Sequence, residues 1–395
     1  MVSRVSRVGM AAMCVLLGLS VPAVAAADPV PLEPVSCAGR TDVVRVKSSA
    51  GDGRPVCFEI PDDFGEYAID VPGAYLLAGD NAHPITVTLI DESGTAGAVD
   101  IDLGGWTAVG AGKEQTAASA LRLISAATAR GYAAVTAERQ RLIADGFADF
   151  YLGEPIMRIH RANPTAAETP DNVGWEQFYE GGAIYYTAAT GARAIYGGIF
   201  ERYFKLGRAA GPLGYPTTSQ AGGPTEGWYA DFTGNPATGG GNGGSIYWNP
   251  ENYPFEFSYT RANALYGPIR EKWVTLGRTA WQGQPLTDLS PTPTPNATGP
   301  NGAGTYVHFG QPTEANYLSP TGPANASIYY SDQTGRAHTV QGSIRQTWRQ
   351  HGWEQGRFGF PTSDEQTTPT GWTQTFQHGT ITWNRGATAP ILTTS

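Results

Sequence analysis

This chain repeats one nine-residue stretch three times, as Ile199-Phe200-Glu201-Arg202-Tyr203-Phe204-Lys205-Leu206-Gly207, Ile269-Arg270-Glu271-Lys272-Trp273-Val274-Thr275-Leu276-Gly277 and Ile344-Arg345-Gln346-Thr347-Trp348-Arg349-Gln350-His351-Gly352. The copies align without a gap. Each has an aromatic residue four positions after the isoleucine and a glycine four positions further on. Residues four apart share a helix face, and glycine readily adopts the left-handed conformation that ends a helix. The pattern predicts three short two-turn helices whose aromatics face the core: Tyr203, Trp273 and Trp348.

A turn with the pattern Leu/Phe-Gly-aromatic-Pro follows the first and third copies. It reads Leu213-Gly214-Tyr215-Pro216 and Phe358-Gly359-Phe360-Pro361, whereas the middle unit departs from it as Gly283-Gln284-Pro285-Leu286. An earlier partial copy reads Leu152-Gly153-Glu154-Pro155. The chain therefore has four helix-turn halves, with the prolines or their equivalents expected at 155, 216, 286 and 361.

Between these halves lies a second repeated element, in which an aromatic residue is followed by Phe, glycines, Ile and an aromatic pair. Two short aromatic strands joined by a glycine turn are the natural interpretation, a β-hairpin. The four copies begin at Trp175, Trp228, Tyr306 and Trp372 and end at Tyr186, Trp248, Tyr330 and Trp383.

These turns and hairpins resemble the LGFP repeat, a family named for its Leu-Gly-Phe-Pro turn. The resemblance covers roughly residues 140 to 384, although the second unit departs from the motif and units two and three carry insertions. Such repeats occur in secreted proteins of mycolic-acid-bearing actinobacteria, attached to mycolyltransferases and cell-wall hydrolases. The resemblance implies a wall-binding module whose partner is a cell-wall polysaccharide, arabinogalactan or peptidoglycan.

Composition limits the fold class and the partners. The 395 residues include 51 Gly and 29 Pro, only 15% are charged, and 11% are aromatic. This excludes a long coiled coil and a disordered chain, and it favours a turn-rich β protein. The formal net charge of −9 argues against binding to nucleic acid or to an anionic membrane.

The first residues predict export. Arg4 and Arg7 precede an apolar run from Met10 to Val24, which small residues follow. This is typical of a signal peptide over residues 1–27, and the alternative is a lipid anchor at Cys14. No later stretch is long and apolar enough for a transmembrane anchor.

Removal of the leader leaves Cys37 and Cys57 as the remaining cysteines. In an oxidising compartment the pair predicts one disulfide, and two free thiols are the alternative.

The segment before the repeats changes character near residue 110. Short β runs from Cys37 to about Gly110 predict a small β-sandwich. An Ala-rich stretch from Lys113 to Phe147, with apolar residues near one helical stripe, predicts a long helix. We assign residues 28–110 to a disulfide-bonded β domain, 111–140 to a helical connector and 141–395 to the repeat array.

The ends of the array suggest closure. It begins with a helix-turn half and ends with a hairpin half, so the two can complete one unit between them, which removes exposed ends. We therefore expect a mainly β protein with short helices: a small N-terminal β-sandwich, a helical connector, and a closed propeller-like ring of about four helix-turn-hairpin units.

Aromatic residues of the hairpins are the candidate glycan-binding residues. In a strand, neighbouring side chains face opposite ways, so if the isoleucine face is core, the next residue faces solvent. This reasoning favours exposure of Tyr185, Tyr247, Tyr329 and Thr382. Sugar rings pack on Tyr and Trp faces, which gives the candidates Trp175, Tyr185, Trp228, Tyr247, Tyr329 and Trp372.

Motifs for catalysis or metal binding are missing from the sequence. Neither the Gly-x-Ser-x-Gly elbow nor His-Glu-x-x-His occurs, and no two of the six histidines have metal-ligand spacing. We expect no catalytic residue, metal or cofactor. The favoured function is a secreted, monomeric, non-catalytic protein of the cell envelope that binds wall glycan; the alternatives are an envelope enzyme with an unrecognised active site and an envelope adaptor that binds protein.

Overall fold

The computed structural model describes residues 29–61, 65–80, 85–90, 96–101, 105–109, 120–146, 151–163, 169, 172–223, 227–248, 262–292, 299–310 and 326–394. The chain divides into two compact units, Met1–Ala192 and Arg193–Ser395. The predicted signal peptide, residues 1–27, lies outside the described residues. Among the described helices, none has both the length and the apolar character needed to cross a membrane.

The N-terminal part is a β-sandwich, as predicted. Its two five-stranded sheets have the orders β1-β5-β10-β7-β8 and β2-β4-β3-β6-β9. Alternate residues of both sheets meet in one core, in which Val46 and Leu77 of one sheet and Val87 and Leu123 of the other are fully buried. The strands are β1 (Val30–Pro31), β2 (Pro34–Val35), β3 (Val44–Ser48), β4 (Val56–Phe58), β5 (Glu66–Ile69), β6 (Ala74–Ala78), β7 (Ile85–Ile90), β8 (Ala96–Ile101), β9 (Trp106–Ala108) and β10 (Ala120–Ser125).

The predicted helix from Lys113 to Phe147 begins later than the sequence suggested. Residues Ala120–Ser125 are strand β10, which pairs antiparallel with β5 and β7, and α1 (Ala126–Ala144) follows. The reason is a period of two: Leu121 and Leu123 both face the sandwich core. Ser125 then caps α1, since its side chain accepts a hydrogen bond from Thr128 N at 3.3 Å. The β domain therefore extends to residue 125, beyond the expected boundary at 110.

The predicted disulfide is present. Cys37 and Cys57 are bonded, with Cα atoms 5.4 Å apart and a sequence separation of 20. Restriction of the unfolded chain by such a loop contributes roughly 3 kcal/mol to stability.

The remainder of the chain contains four repeats of strands and helices. The strands are β11 (His160–Arg161), β12 (Trp175–Tyr179), β13 (Gly182–Thr187), β14 (Gly191–Tyr196), β15 (Ala221–Gly223), β16 (Gly227–Phe232), β17 (Gly244–Trp248), β18 (Asn263–Tyr266), β19 (Gln284–Pro285), β20 (Ser290–Thr292), β21 (Gly304–Gly310), β22 (Ala326–Ser331), β23 (Arg336–Gln341), β24 (Gln366–Thr367), β25 (Gly371–Phe376), β26 (Gly379–Asn384) and β27 (Ile391–Thr394). The helices are α2 (Gly197–Lys205), α3 (Gly267–Thr275), α4 (Thr279–Gln282) and α5 (Gly342–Gln350).

The second unit contains three antiparallel sheets, and the boundary between the units lies within β14. We call these sheets S2 (β15-β16-β17-β18), S3 (β19-β21-β22-β23, with β20 also paired to β21) and S4 (β24-β25-β26-β27). The strands β11 to β13 of the first unit are called S1. Every sheet in the described part of the chain is open, and closure of the array into a ring stays a prediction.

The three predicted helices are confirmed. Each begins directly after a strand and ends at a glycine in the left-handed conformation, with φ of 88° at Gly207 and 90° at both Gly277 and Gly352. The aromatic residue four positions after the isoleucine is fully buried in all three helices, at Tyr203, Trp273 and Trp348.

The turn of the middle unit is aligned differently from the prediction. Pro285, rather than residue 286, occupies the common position, because it pairs with Phe309 as Pro216 pairs with Phe232. Pro155 and Pro361 pair in the same way with Tyr179 and Phe376. The middle unit is one residue shorter between the glycine that ends its helix and Gly283 of its turn, six positions instead of seven.

This shortening removes a hydrogen bond that anchors the other two helices to their turns. Tyr203 donates its hydroxyl proton to the carbonyl of Gly214 at 2.7 Å, and Trp348 Nε1 donates to the carbonyl of Gly359 at 3.1 Å. In the middle unit, Trp273 Nε1 is buried and has no hydrogen-bond partner among the described residues. The chain therefore contains a matched pair of tryptophans that differ in one hydrogen bond.

We predict that Trp348→Phe costs about 1 kcal/mol more stability than Trp273→Phe. Both changes remove the same atoms from a fully buried site, but only the first breaks a hydrogen bond. Denaturant unfolding of both variants measures the difference. Equal losses of unfolding free energy would contradict the assigned role of the Gly359 carbonyl.

Candidate functional site

Three of the six glycan-binding candidates are core residues. Tyr185, Tyr247 and Tyr329 are each at most 5% exposed, so the prediction that they face solvent is wrong. In S2, Tyr247 stacks on Tyr229 of the neighbouring strand, with ring centroids 5.3 Å apart. The face that was expected to be solvated is instead covered by the helix that follows the sheet.

The covering helix is identified by its buried tryptophan. Trp273 of α3 makes an edge contact with Tyr247 at 5.2 Å, and Trp348 of α5 makes the equivalent contact with Tyr329 at 4.8 Å. Tyr203 of α2 stacks on Phe232, which is on the opposite face of S2. Both faces of S2 are therefore buried against helices, and alternation along a strand cannot separate core from surface there.

The fourth candidate, Trp175, is also buried, at 3% exposure. It packs beneath α1, where Tyr132 meets its ring edge-on at 5.8 Å. Gly131 of α1 permits this approach, because a Cβ atom there would lie 2.5 Å from the indole. Trp175 is therefore a helix-packing residue.

Two candidates, Trp228 and Trp372, keep partly exposed side chains. Each has a second tryptophan directly opposite on the neighbouring strand: Trp248 faces Trp228 in S2, and Trp383 faces Trp372 in S4. All four are half-buried. We call Trp228/Trp248 and Trp372/Trp383 the terminal tryptophan pairs.

The terminal pairs are held by their surroundings. Gly198 at the start of α2 lies so close to Trp248 that a Cβ atom would be 2.7 Å from its indole nitrogen. The guanidinium of Arg385 lies 5.3 Å from the ring centroid of Trp372, in cation–π range. A half-buried, positioned aromatic surface with a polar neighbour can pack against the apolar C–H face of a sugar.

Sequence reasoning missed Trp248 and Trp383. It selected residues of each hairpin by their face on one strand, whereas the pairs are defined by cross-strand register. The available signal was the aromatic two positions after the isoleucine, Ile246 to Trp248 and Ile381 to Trp383, which alternation places on the same face. S3 has Tyr330 at this position, opposite Thr305.

A buried polar cluster lies next to the stacked tyrosines of S2. Asp231 accepts hydrogen bonds from Ser245 Oγ and from Arg278, whose nearest nitrogen is 2.8 Å away. Arg270 of α3 lies 3.5 Å from the same carboxylate. Burial raises the pKa of Tyr247 to about 12, so this phenol stays neutral beside the ion pairs.

S3 carries His308, Ser327 and Arg345 at the positions of Asp231, Ser245 and Arg270. His308 Nδ1 and Ser327 Oγ are 2.7 Å apart, and Arg345 Nε donates to the same Oγ at 2.7 Å. Arg345 Nη2, which can only donate, also lies 3.4 Å from Nδ1, so Nδ1 is an acceptor, the serine donates its proton to it, and the histidine carries its own proton on Nε2.

This Ser–His pair bears on the alternative of an unrecognised active site. Ser327 is fully buried and His308 is 5% exposed. Burial, helped by the charges of Arg345 and Arg349, lowers the pKa of His308 to about 3. A general base works best with a pKa near the operating pH and within reach of substrate, so the pair fits a packing role better than a catalytic one.

The residue after each helix-ending glycine has the same unusual backbone. Arg208, Arg278 and Trp353 have φ of 54°, 58° and 57°, in the left-handed region that disfavours side chains. Two of them reach the polar clusters: Arg278 binds Asp231, and Trp353 stacks with His308 at 5.7 Å. The strained conformation thus aims a large side chain at the sheet that precedes the helix.

The strands β14, β18 and β23 are each held by the turn that follows them in the chain. The third residue after the turn proline accepts a backbone N–H: Ser219 Oγ from Ala194 at 3.1 Å, Asp288 Oδ1 from Ala264 at 2.8 Å and Asp364 Oδ1 from Thr339 at 2.9 Å. We call these contacts the edge clasps. The corresponding residue after Pro155 is Arg158.

The two acidic clasps also bind a cation from an earlier helix. Arg202 of α2 lies 2.8 Å from Asp288, and Lys272 of α3 binds Asp364. Burial raises the pKa of Asp288. Burial opposes ionisation of Asp364 as well, but hydrogen bonds from His338, Lys272 and the Thr339 amide outweigh it, and the pKa of Asp364 is lowered.

Within the described ranges, no cluster of His, Cys, Asp and Glu side chains could hold a metal ion.

The repeated turn, helix and sheet agree with a family comparison. A family model described as LGFP repeat matches residues 163–211, 213–280, 292–356 and 358–392, more than half of the 395 residues. The chain belongs to the LGFP repeat family. Each LGFP match includes a hairpin, whereas the shortened turn at 283–286 lies between the second and third matches. No curated protein matches the chain.

We predict that Asp364→Ala lowers the unfolding free energy at pH 7 by about 1–2 kcal/mol, because the Thr339 amide and Lys272 lose their acceptor and Asp364 is partly exposed. The folded-state pKa is lower than the ordinary 3.8, so the ionised carboxylate stabilises the fold above about pH 4. The difference from the unmodified protein should narrow as the pH falls below 4.

Urea unfolding between pH 3 and 7 measures this effect. Asp332→Ala is the matched control, since Asp332 is exposed in the turn that joins β22 to β23 of the same LGFP unit. If Asp364→Ala lost the same unfolding free energy at every pH, the charge of the Asp364 carboxylate would not contribute to the clasp.

Proposed function

We propose that this protein is exported and binds a polysaccharide of the cell envelope through its LGFP repeats, without catalysing a reaction. Membership of the family and the Cys37–Cys57 disulfide support this, because structural disulfides are typical of oxidising compartments outside the cytoplasm. Arabinogalactan and peptidoglycan are the polymers to test first.

The terminal tryptophan pairs carry the proposal. Trp228/Trp248 and Trp372/Trp383 occupy the same register position in S2 and S4, and each keeps exposed indole surface. Packing between an indole and a sugar ring needs no charge on the ligand. It therefore suits a protein with a net charge of −9 that binds a neutral or acidic polymer.

Repetition of the pair explains how weak contacts could give useful binding. One indole–sugar contact is weak, but a long polymer can occupy several equivalent sites of one molecule. The second contact is then intramolecular, and the overall avidity exceeds the affinity of either site. Loss of both pairs should therefore weaken binding far more than loss of one.

We predict that Trp228→Ala and Trp372→Ala each weaken binding to purified wall polysaccharide about three- to tenfold, and that the double variant loses more than the product of the two effects. Sedimentation with insoluble wall, or calorimetry with soluble arabinogalactan and peptidoglycan fragments, measures the dissociation constants. Binding should change little between about 50 and 500 mM salt, since the contacts are uncharged.

Phe204→Ala is the control, because Phe204 is 42% exposed on α2 but lies outside the pairs. Melting temperatures confirm that all variants are folded. Full binding by the folded double variant would exclude the tryptophan pairs as the polysaccharide-binding sites. If the unmodified protein failed to bind either polymer but retained envelope proteins, the adaptor function would replace the present proposal.

We propose further that the repeat array closes on itself. The support is the last strand, β27: the exposed Thr393 stands at the position of the fully buried Leu265 of β18 and Val340 of β23, and Ile391 of the same strand is 56% exposed. A strand edge of this kind is a liability unless something covers it. The start of the array is the covering element that we propose.

Deletion of residues 371–395 tests closure. In a closed ring, the loss should also increase hydrogen exchange in β12 and β13 of S1 by about tenfold or more. In an open stack, S1 is two sheets away from the deleted part, and its exchange should not change. Strands β3 and β4 of the sandwich serve as the internal reference in the same protein.

A further inference from the structure

The outer face of one N-terminal sheet carries a tryptophan beside two cations. Trp106 of β9 is 42% exposed. The guanidinium of Arg45 and the ammonium of Lys47 lie 5.5 Å and 4.9 Å from its ring centroid. The family model begins at residue 163, so this site lies outside the LGFP repeats.

Sheet register explains why these side chains meet. Arg45, Ala78 and Trp106 are directly opposite one another on β3, β6 and β9. Their neighbours Val46 and Leu77 are fully buried in the sandwich core, so the row lies on the opposite, outer face. Ala78 has a small side chain and is itself fully buried, which leaves room for an indole to lean across the sheet towards both cations.

The row is anchored at its other end by the disulfide. Arg45 pairs in register with Cys57 of β4, whose sulfur is bonded to Cys37. Four neighbouring strands thus fix the positions of the cations and the ring. A rigid arrangement of this kind lowers the entropic cost of holding a ligand.

No carboxylate in the described ranges neutralises either cation. Arg45 and Lys47 make no ion pair with a carboxylate and no side-chain hydrogen bond among the described residues. This is unusual in a chain with a net charge of −9, in which Arg40 and Arg141 each bind two carboxylates. An exposed aromatic surface with two unneutralised cations fits a ligand that is both flat and anionic.

We propose that Trp106, Arg45 and Lys47 form a binding site for an acidic sugar, one whose ring carries a carboxylate or phosphate group. The sugar ring packs on the exposed part of the indole. The anionic group is bound by the guanidinium fork of Arg45 and by the point charge of Lys47. The N-terminal domain then recognises a different feature of a glycan from that recognised by the tryptophan pairs.

Calorimetry with trigalacturonic acid tests the site on the full-length protein in low salt. We expect binding at least about tenfold tighter than that of its neutral methyl ester. Trp106→Ala should weaken it at least about tenfold, and Arg45→Gln and Lys47→Gln about three- to tenfold each. Arg54→Gln is the matched control: it removes the same charge from an exposed site on the loop between β3 and β4, and should change affinity less than about twofold.

Two further measurements show whether the ligand binds at Trp106 and whether a phosphate group can replace the carboxylate. The indole signal that Trp106→Phe removes from a ¹⁵N correlation spectrum identifies Trp106, and it should shift during titration. Glucose 6-phosphate tests the phosphate form of the ligand. Tight binding of inorganic phosphate alone that survives Trp106→Ala would show an anion site without sugar recognition and overturn the proposal.

The proposal is equally overturned if the acid and its ester bind with the same affinity, if neither acidic sugar binds, or if folded Trp106→Ala binds normally. Phe204→Ala changes an exposed aromatic residue outside both proposed sites and should leave these affinities unchanged. The Trp106 indole signal reports on this site alone, so failure of this site and failure of the LGFP repeats to bind wall polysaccharide are separate results.

Discussion

In the second unit, one helix tryptophan lies between each sheet and the next, and the packing of the repeats depends on it. Trp273 meets Tyr247 of S2 at 5.2 Å and Phe309 of S3 at 5.9 Å, and Trp348 meets Tyr329 of S3 and Phe376 of S4 at 4.8 and 5.5 Å. A four-stranded hairpin sheet has too little core to be stable alone. Sharing one tryptophan gives neighbouring sheets a common core, and it buries both faces of each inner sheet.

That insertion explains which parts of the fold could be predicted. Period and spacing are local, so the three helices, their glycine ends and the hairpins followed from the sequence. The burial of Tyr247 and Tyr329 could not be predicted in this way. Alternation shows that a strand has two faces, but it does not show whether a second helix covers the outer face. The start of α1 at Ala126 was missed because Leu121 and Ile124 fit a helical stripe, whereas the buried pair Leu121 and Leu123 fits the strand that is present.

The candidate site shows the same limit. Trp228 and Trp372 could be found as repeated aromatics, but Trp248 and Trp383 become their partners only through strand register. The cations at Trp106 come from a strand far earlier in the chain, with Ala78 of a third strand between them. No local pattern indicates a contact of that kind. In the polar clusters, Asp231 of S2 and His308 of S3 occupy equivalent positions, although one is an acid and the other a base. Each cluster contains the arginine of the helix that follows its sheet, Arg270 or Arg345.

The edge clasps bear on how the number of repeats can change. Arg202 lies before the turn that holds Ser219, yet its carboxylate partner is Asp288 of the following turn, and Lys272 likewise passes over its own turn to reach Asp364. Each ion pair therefore spans a complete sheet. A gene duplication that copied a whole unit with its helix cation and its turn carboxylate would supply both partners again, and each cation would still meet the carboxylate of the following turn. Repeat arrays with contacts only between neighbours lengthen and shorten easily; in this protein, that ease depends on copying the helix and the turn together.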